Sequence, residues 1–171
     1  MRYVEVVPPN NNWSLLFNKE AEQIRLILQE EVHDIYHIGS TAIPNMSAKP
    51  VIDILVNVMN ISNIDDYNQQ FEKLDYIGMG ENGIKDRRFF MKGRENRTHH
   101  IHIFQQGNKE IKRHLAFRDY LISHPKEAEK YRKLKEELAK QFPNNMKNYI
   151  EGKDSFIKNI DKLAADWYCN R

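Results

Sequence analysis

A carboxylate inside an apolar run is the feature of this 171-residue chain best suited to chemistry. Asp53 sits in the stretch VIDILV, residues 51–56, and a buried carboxylate is costly unless a metal, a cation or a set of donors pairs with it. If VIDILV is a strand, alternation puts Val51, Asp53 and Leu55 on one face and Ile52, Ile54 and Val56 on the other. The charge then leaves one face beside hydrophobic neighbours. It can serve as a ligand for Mg²⁺, which prefers hard oxygen donors, or as half of an ion pair with Lys49 or an arginine.

Two histidines form a second candidate. In His99-His100-Ile101-His102-Ile103-Phe104, His100 and His102 share a face, and two imidazoles at that spacing can reach one ion or one phosphate. The same spacing also suits a strand with histidines on its polar side. His37 is a further candidate ligand for this His/Asp cluster, although no diagnostic zinc spacing is present.

A Gly39-Ser40 turn follows the short strand that ends in His37 and Ile38. Glycine lets backbone amides approach a phosphate closely, and the hydroxyl of Ser40 or Thr41 can donate to it. Gly-Ser is equally a common turn dipeptide. Arg87 and Arg88 precede Phe89-Phe90, so alternation puts one arginine on each face. Guanidinium groups suit a polyphosphate, and Arg88 is taken as the clamp, with Lys49, Arg118 and Lys153 as further phosphate ligands. Each of these basic residues can instead be a solvated surface group.

The elements that must position these residues follow from periodicity. Val4 to Val7 reads as extended. Trp13, Leu16, Phe17, Ile24, Ile27 and Leu28 give a helix, then Ile35–Ile38 and VIDILV give strands. Ser62 is expected to cap a helix running to about Leu74, with Asp65 as its capping-box acid. Tyr76 to Met79, Arg88 to Lys92 and His99 to Phe104 read as strands, the last two as an antiparallel hairpin. From Asn108 the pattern is helical, broken at His124-Pro125 and near Phe142-Pro143. Tyr120, Tyr131 and Tyr149 read as core or groove lining, and Phe156, Ile160, Leu163 and Trp167 line the last helix. The fold class is α+β. A single domain spans residues 1–171, with a mixed-sheet core to residue 106 and a helical C-terminal third from 107.

Composition restricts the partners. The chain is 40% hydrophobic and 29% charged with a net charge of +2, which gives no reason to expect nucleic acid or a membrane surface. No apolar run approaches 18 residues, the N-terminus lacks a signal-peptide pattern, and the single Cys169 can form no internal disulfide. The expected location is the cytoplasm.

Taken together, HIGSTAIPNMSAKPVIDILV from His37, HIHIF from His100, FRDYLISHP from Phe117, and Tyr149 with Lys153, Phe156 and Ile157 resemble the GrpB family. The similarity runs from Trp13 to Phe156. More broadly, the strand, Gly-Ser turn and aspartate resemble the nucleotidyltransferase superfamily. The resemblance implies a nucleotidyltransferase-like mixed sheet flanked by helices, with the site over the sheet. It implies that Gly39 and Ser40 hold the phosphates of a nucleotide and that Asp53 is the first metal carboxylate. The superfamily's second carboxylate falls two residues later, where this chain has Leu55. Its third comes from a neighbouring strand, which here offers His100 and His102. Two metal ions held by three carboxylates serve nucleotidyl transfer; one carboxylate with two imidazoles better suits zinc or manganese.

Three functions are consistent with this. The first is transfer of a nucleotidyl or other phosphate-linked group to a small acceptor, using a divalent ion (Mg, Mn or Zn) with Asp53, His100 and His102 as catalytic and metal residues. The second is a catalytically inactive module binding a nucleotide or a coenzyme A-like ligand, since GrpB-like domains are fused to dephospho-coenzyme A kinase in some bacteria. The third is a metal-dependent hydrolase.

Overall fold

The computed structural model describes residues 3–171. Helix α1 (Asn12–Leu28) leads into strand β1 (Val32–Ile38), and β2 (Ile52–Val58) follows. A 3-10 segment (Ile61–Tyr67) and short α2 (Asn68–Glu72) come next, then β3 (Tyr76–Gly78), β4 (Arg87–Lys92) and β5 (His99–Gln105). Three helices end the chain: α3 (Lys109–Ser123), α4 (Pro125–Gln141) and α5 (Met146–Cys169). The α+β class and the helical C-terminal third are as expected.

The five strands run in the order β1-β2-β5-β4-β3. β2 and β5 are parallel, and every other neighbouring pair is antiparallel, including the expected β4–β5 hairpin. That one parallel pair matters most, because its register sets Asp53 beside His100 and Leu55 beside His102. A parallel pairing needs a crossover, and here the segment through α2, β3 and β4 supplies it.

One face of the sheet is dry core. Ile52, Ile54, Val56, Val58, Ile101 and Ile103 pack there against Trp13, Ile24 and Leu28 of α1 and Phe71 of α2. His99 lies on this side too, where Glu20 accepts hydrogen bonds from Tyr76 (2.7 Å) and Lys92 (2.6 Å) and lies 3.9 Å from His99. The other face carries Asp53, Leu55, His100, His102 and Phe104. Leu55 and Phe104 are fully buried with Ile38 and Ile111, so apolar packing fills the position two residues beyond Asp53.

Several local expectations change. The 3-10 segment is capped by the Asn60 side chain, which accepts from Ser62 N, so Ser62 is not the cap. Asp65 turns instead to Arg88, at 2.8 Å. Val4 to Val7, read as extended, makes a single antiparallel bridge, Val7 with Ala48. Leu163 is 40% exposed, on the outer side of α5. Pro125 does open α4, where its missing N–H removes no helical hydrogen bond.

Candidate functional site

A cavity of about 250 Å³ opens between the polar sheet face and the three C-terminal helices. Asp53 and His100 line one side of it, with Gly39, Ser40 and Thr41 above them. Lys49, Lys135 and Lys153 line it as well, with Tyr131, Tyr149, Arg113, His114 and Phe117.

At the sheet end, Asp53 Oδ1 lies 3.4 Å from His100 Nδ1 and 3.1 Å from His102 Nε2. Phe89 of β4 packs against both imidazoles, with ring centroids 5.3 Å away in each case. Burial alone would raise the Asp53 pKa, but the hydrogen bonds from the two imidazoles outweigh it and hold the carboxyl far below the usual carboxylate range. The side chain is still 28% exposed, toward the cavity. Asp53, His100 and His102 offer ligand atoms within 4.8 Å of one another, which suits a single metal ion. His100 Nε2 is buried with no hydrogen-bond partner among the described residues. One carboxylate and two imidazoles fit zinc or manganese better than magnesium.

Arg87 qualifies that fit. Its Nη1 lies 3.4 Å from His102 Nδ1, and its Nε and Nη2 donate to the carbonyls of Glu81 and Asn82. A guanidinium only donates, so Nδ1 is the acceptor and Nε2–H faces Asp53. Ligation through His102 Nε2 would displace that proton, whereas His100 has no such constraint. His114, 5.5 Å from the His102 ring, is pushed down to about 3 by burial, with the charge of Arg113 adding to it, so it stays neutral in the cavity wall.

The Gly39 turn is specified by geometry. Gly39 has φ +73° and ψ −171°, a region open essentially to glycine. A Cβ there would stand 2.8 Å from Asp53 Oδ2 and 3.1 Å from its Cβ. Gly39→Ala is therefore expected to cost about 1–3 kcal/mol in backbone strain alone and to push Asp53 off the imidazoles. Thermal melts should show the loss, and a zinc titration should show at least about tenfold weaker binding, the lower end of the effect of disturbing a ligand's support.

The sequence candidates divide. Gly39, Ser40, Thr41, Lys49, Asp53, His100 and Lys153 line the cavity, and His102 lies directly behind Asp53. His37 does not join the cluster. It lies stacked on Phe17, at 4.9 Å between centroids, and hydrogen-bonded to Thr41 Oγ1 at 2.8 Å. Burial, with Arg118 adding to it against the pull of Asp53, pushes His37 down to about 4. Arg88 points to the opposite face and pairs with Asp65, so the arginine on the site's face is Arg87. Arg118 does not line the cavity; its Nη1 donates to the His37 carbonyl at 3.0 Å and ties α3 to the end of β1. Lys135, Arg113 and His114 join the site without having stood out in the sequence. A signal for Lys135 is present there: it falls on the stripe Tyr131, Leu134, Lys135, Leu138, where helical spacing calls for an apolar residue.

Comparison with known proteins bears on the family. The family model described as GrpB protein matches residues 3–163. The chain belongs to the GrpB family. The GrpB protein of Enterococcus faecalis, known from its crystal structure, superposes with a TM-score of 0.93 at 44% identity, covering 96% of this chain and 99% of that one. The UPF0157 protein YqkA of Bacillus subtilis is 46% identical over 166 residues, covering 97% of this chain and 48% of its own length. A more distant match is a dephospho-CoA kinase of Mycolicibacterium paratuberculosis, 21% identical over 189 residues, covering 96% of this chain and 46% of that protein. The chain thus spans about half the length of both of these curated relatives. No helix among the described residues is long and apolar enough to cross a membrane.

Proposed function

We propose that the cavity binds the phosphate portion of a nucleotide or coenzyme A-like ligand and that the protein transfers a phosphate-linked group to a small acceptor. The observation that carries this reading is the cavity's division into two ends: Asp53 with His100 at the sheet, and three lysines with two tyrosines from the loop and helices opposite. Gly39 and Ser40 border the space between, where close backbone approach suits a phosphate. Asp53, His100 and His102 would hold a divalent ion, which would polarise a phosphoryl oxygen as a Lewis acid. Among the described residues Asp53 supplies the only acidic side chain lining the cavity, so the remaining walls attract an anion. The likeness to part of a dephospho-CoA kinase supports including coenzyme A-like ligands.

A second reading is a binding module without turnover. It is favoured by Leu55, which packs under Phe104 and Ile111 and leaves no space for a second metal-holding carboxylate.

The two readings separate in one experiment. Labelled nucleoside triphosphates and coenzyme A, each with Zn²⁺, Mn²⁺ or Mg²⁺ and a mixed acceptor pool, are followed by product release and by calorimetry. Transfer is expected with Zn²⁺ or Mn²⁺ above Mg²⁺ and should be lost in Asp53→Asn. Saturable binding with no product under any metal establishes the module, and no binding at all rules out both.

The contact between Arg87 and His102 makes the two histidines unequal. His100→Ala is expected to lose about tenfold more zinc affinity than His102→Ala, a difference of the size that a ligand's hydrogen-bonded support commonly makes. Competition titrations against a zinc indicator measure both, and equal losses would show that Arg87 exerts no such control.

A further inference from the structure

Lys135 is the most unusual charged residue in the molecule. It projects from α4, is only 2% exposed, and its Nζ has no hydrogen-bond partner among the described residues. A buried amine without a partner is costly. The hydroxyl of Tyr149, a fully buried residue of α5, is likewise without a partner among them, and both residues line the same cavity. Two buried donors therefore face a space in which the described residues provide them no acceptor.

The surroundings select the sign and kind of ligand. Lys135 Nζ lies 4.5 Å from the Tyr131 ring centroid, and Lys153 Nζ of α5 lies 4.5 Å from that of Tyr149. Lys49 Nζ, from the loop before β2, lies 5.6 Å from the same Tyr149 ring. The charges of Lys153 and Lys49 act on Lys135 unfavourably, and only Glu136 of the same helix opposes them. Glu136 is itself engaged by the Ser47 hydroxyl at 2.7 Å. Arg113, the remaining cation in the lining, is paired with Glu110 and Asp161. Asp53 and His100 face this group from across the cavity.

We propose that Lys135, Lys49 and Lys153, with the Tyr149 hydroxyl, anchor a phosphoryl dianion, and that Lys135 takes up a proton when the anion arrives. The proposal deepens the reading of this cavity as a phosphate site and rests on it, but it does not depend on a metal. The Lys135 ammonium and the Tyr149 hydroxyl have donors with no acceptor among the described residues, and a tetrahedral dianion can accept from both while Lys49 and Lys153 add positive charge beside it. Without ligand the cluster reduces its own repulsion by losing protons. Burial with the neighbouring lysine charges pushes Lys135 down to about 6, and burial with Lys49 brings Lys153 to about 8. An anion in contact with Lys135 reverses that balance.

Titration calorimetry at pH 7.5 with EDTA present tests this, using inorganic phosphate, pyrophosphate, ATP and coenzyme A in buffers of different ionisation enthalpy. Buffer-dependent heats corresponding to uptake of up to about one proton per site are expected, since an amine with its pKa near 6 is mostly neutral at this pH. Lys135→Met should weaken binding by at least about tenfold, the scale of one lost charge-assisted hydrogen bond. Lys135→Arg, always charged, should bind with much less proton uptake, the remainder coming from Lys153 near 8. Tighter binding of ATP or coenzyme A than of pyrophosphate identifies the anion as a ligand's tail, and the reverse identifies a free anion. Equal affinity in wild type and Lys135→Met, or heats independent of buffer, overturns the proposal. If no anion binds although zinc still binds at Asp53, the lysine site fails while the metal reading stands. Anion binding with proton uptake in a protein that takes up no metal upholds the lysine site and removes the metal reading.

Discussion

Replacing Asp53 with asparagine is expected to lower zinc affinity by more than about 100-fold, since loss of a ligand should exceed the 10–100-fold effect typical of its supporting partners. The substitution preserves shape and removes charge, so its effect is electrostatic. In the native protein the anion lies 3.1 and 3.4 Å from two imidazoles. Their hydrogen bonds overcome the penalty of burial and keep the carboxyl ionised far below its ordinary value of 3.8. The amide introduced by Asp53→Asn is neutral and a poorer ligand, while its oxygen still accepts from His102, so the fold should persist. Zinc competition and thermal melts in parallel separate lost metal from lost structure. The native carboxylate also has a pH signature. Its stabilising contribution is intact above the unfolded value near 3.8 and is lost as the pH falls through the lower folded value. Asp53→Asn should therefore flatten the most acidic part of the stability profile.

Replacing Lys135 with methionine should make the protein more stable. The native state buries an amine whose Nζ rests on the Tyr131 ring but has no hydrogen-bond partner among the described residues, and methionine fills a similar volume with no charged group. Relief of a polar group without a hydrogen-bond partner is worth about 1–3 kcal/mol in proteins, or a rise of roughly 2–12 °C in Tm for a chain of this size. The sign with pH follows from proton binding. Between the folded value near 6 and the free value of 10.5, the unfolded chain holds a proton on Lys135 that the folded chain lacks. The penalty of the lysine is thus fully present below about pH 6 and fades as the pH rises toward 10.5. The gain from Lys135→Met should be largest near pH 6 and shrink steadily in melts recorded up to about pH 10. An unchanged or lower Tm at the acidic end of that range would mean that the amine is satisfied in the folded state. A stabilising substitution that weakens anion binding is the pattern of a residue held in place for function.

The chemistry near the sheet is legible in the sequence because strands alternate with a period of two. That rule puts Asp53 on a different face from Ile52 and Ile54, and His100 with His102 away from Ile101. The parallel register of β2 and β5 then places the carboxylate beside the imidazoles. The same rule requires Arg87 and Arg88 to face opposite ways, but not which of them faces the site. Only the β4–β5 register answers that, by setting Phe89 opposite His102 and Arg87 opposite Phe104. The expectation for His37 fails for a similar reason. It is close in sequence to the turn above Asp53, yet β1 pairs it with Ile54 and turns its ring onto Phe17 of α1.

The sequence by itself determined most strand and helix types, the glycine at a turn too close to Asp53 for a Cβ, and the one carboxylate and two histidines that share a face. These are local consequences of alternation, backbone conformation and the expense of burying charge. The tertiary structure decided which distant groups meet them. Lys135 and Tyr149 reach the cavity because α4 and α5 pack over the polar face of the sheet, with Val4 held against Leu138 and Tyr149. No spacing within either helix encodes that meeting, because the distance between them in sequence is spanned by packing between elements. The carboxylate is visible in the chain; the lysines that face it across the cavity are set there by the fold.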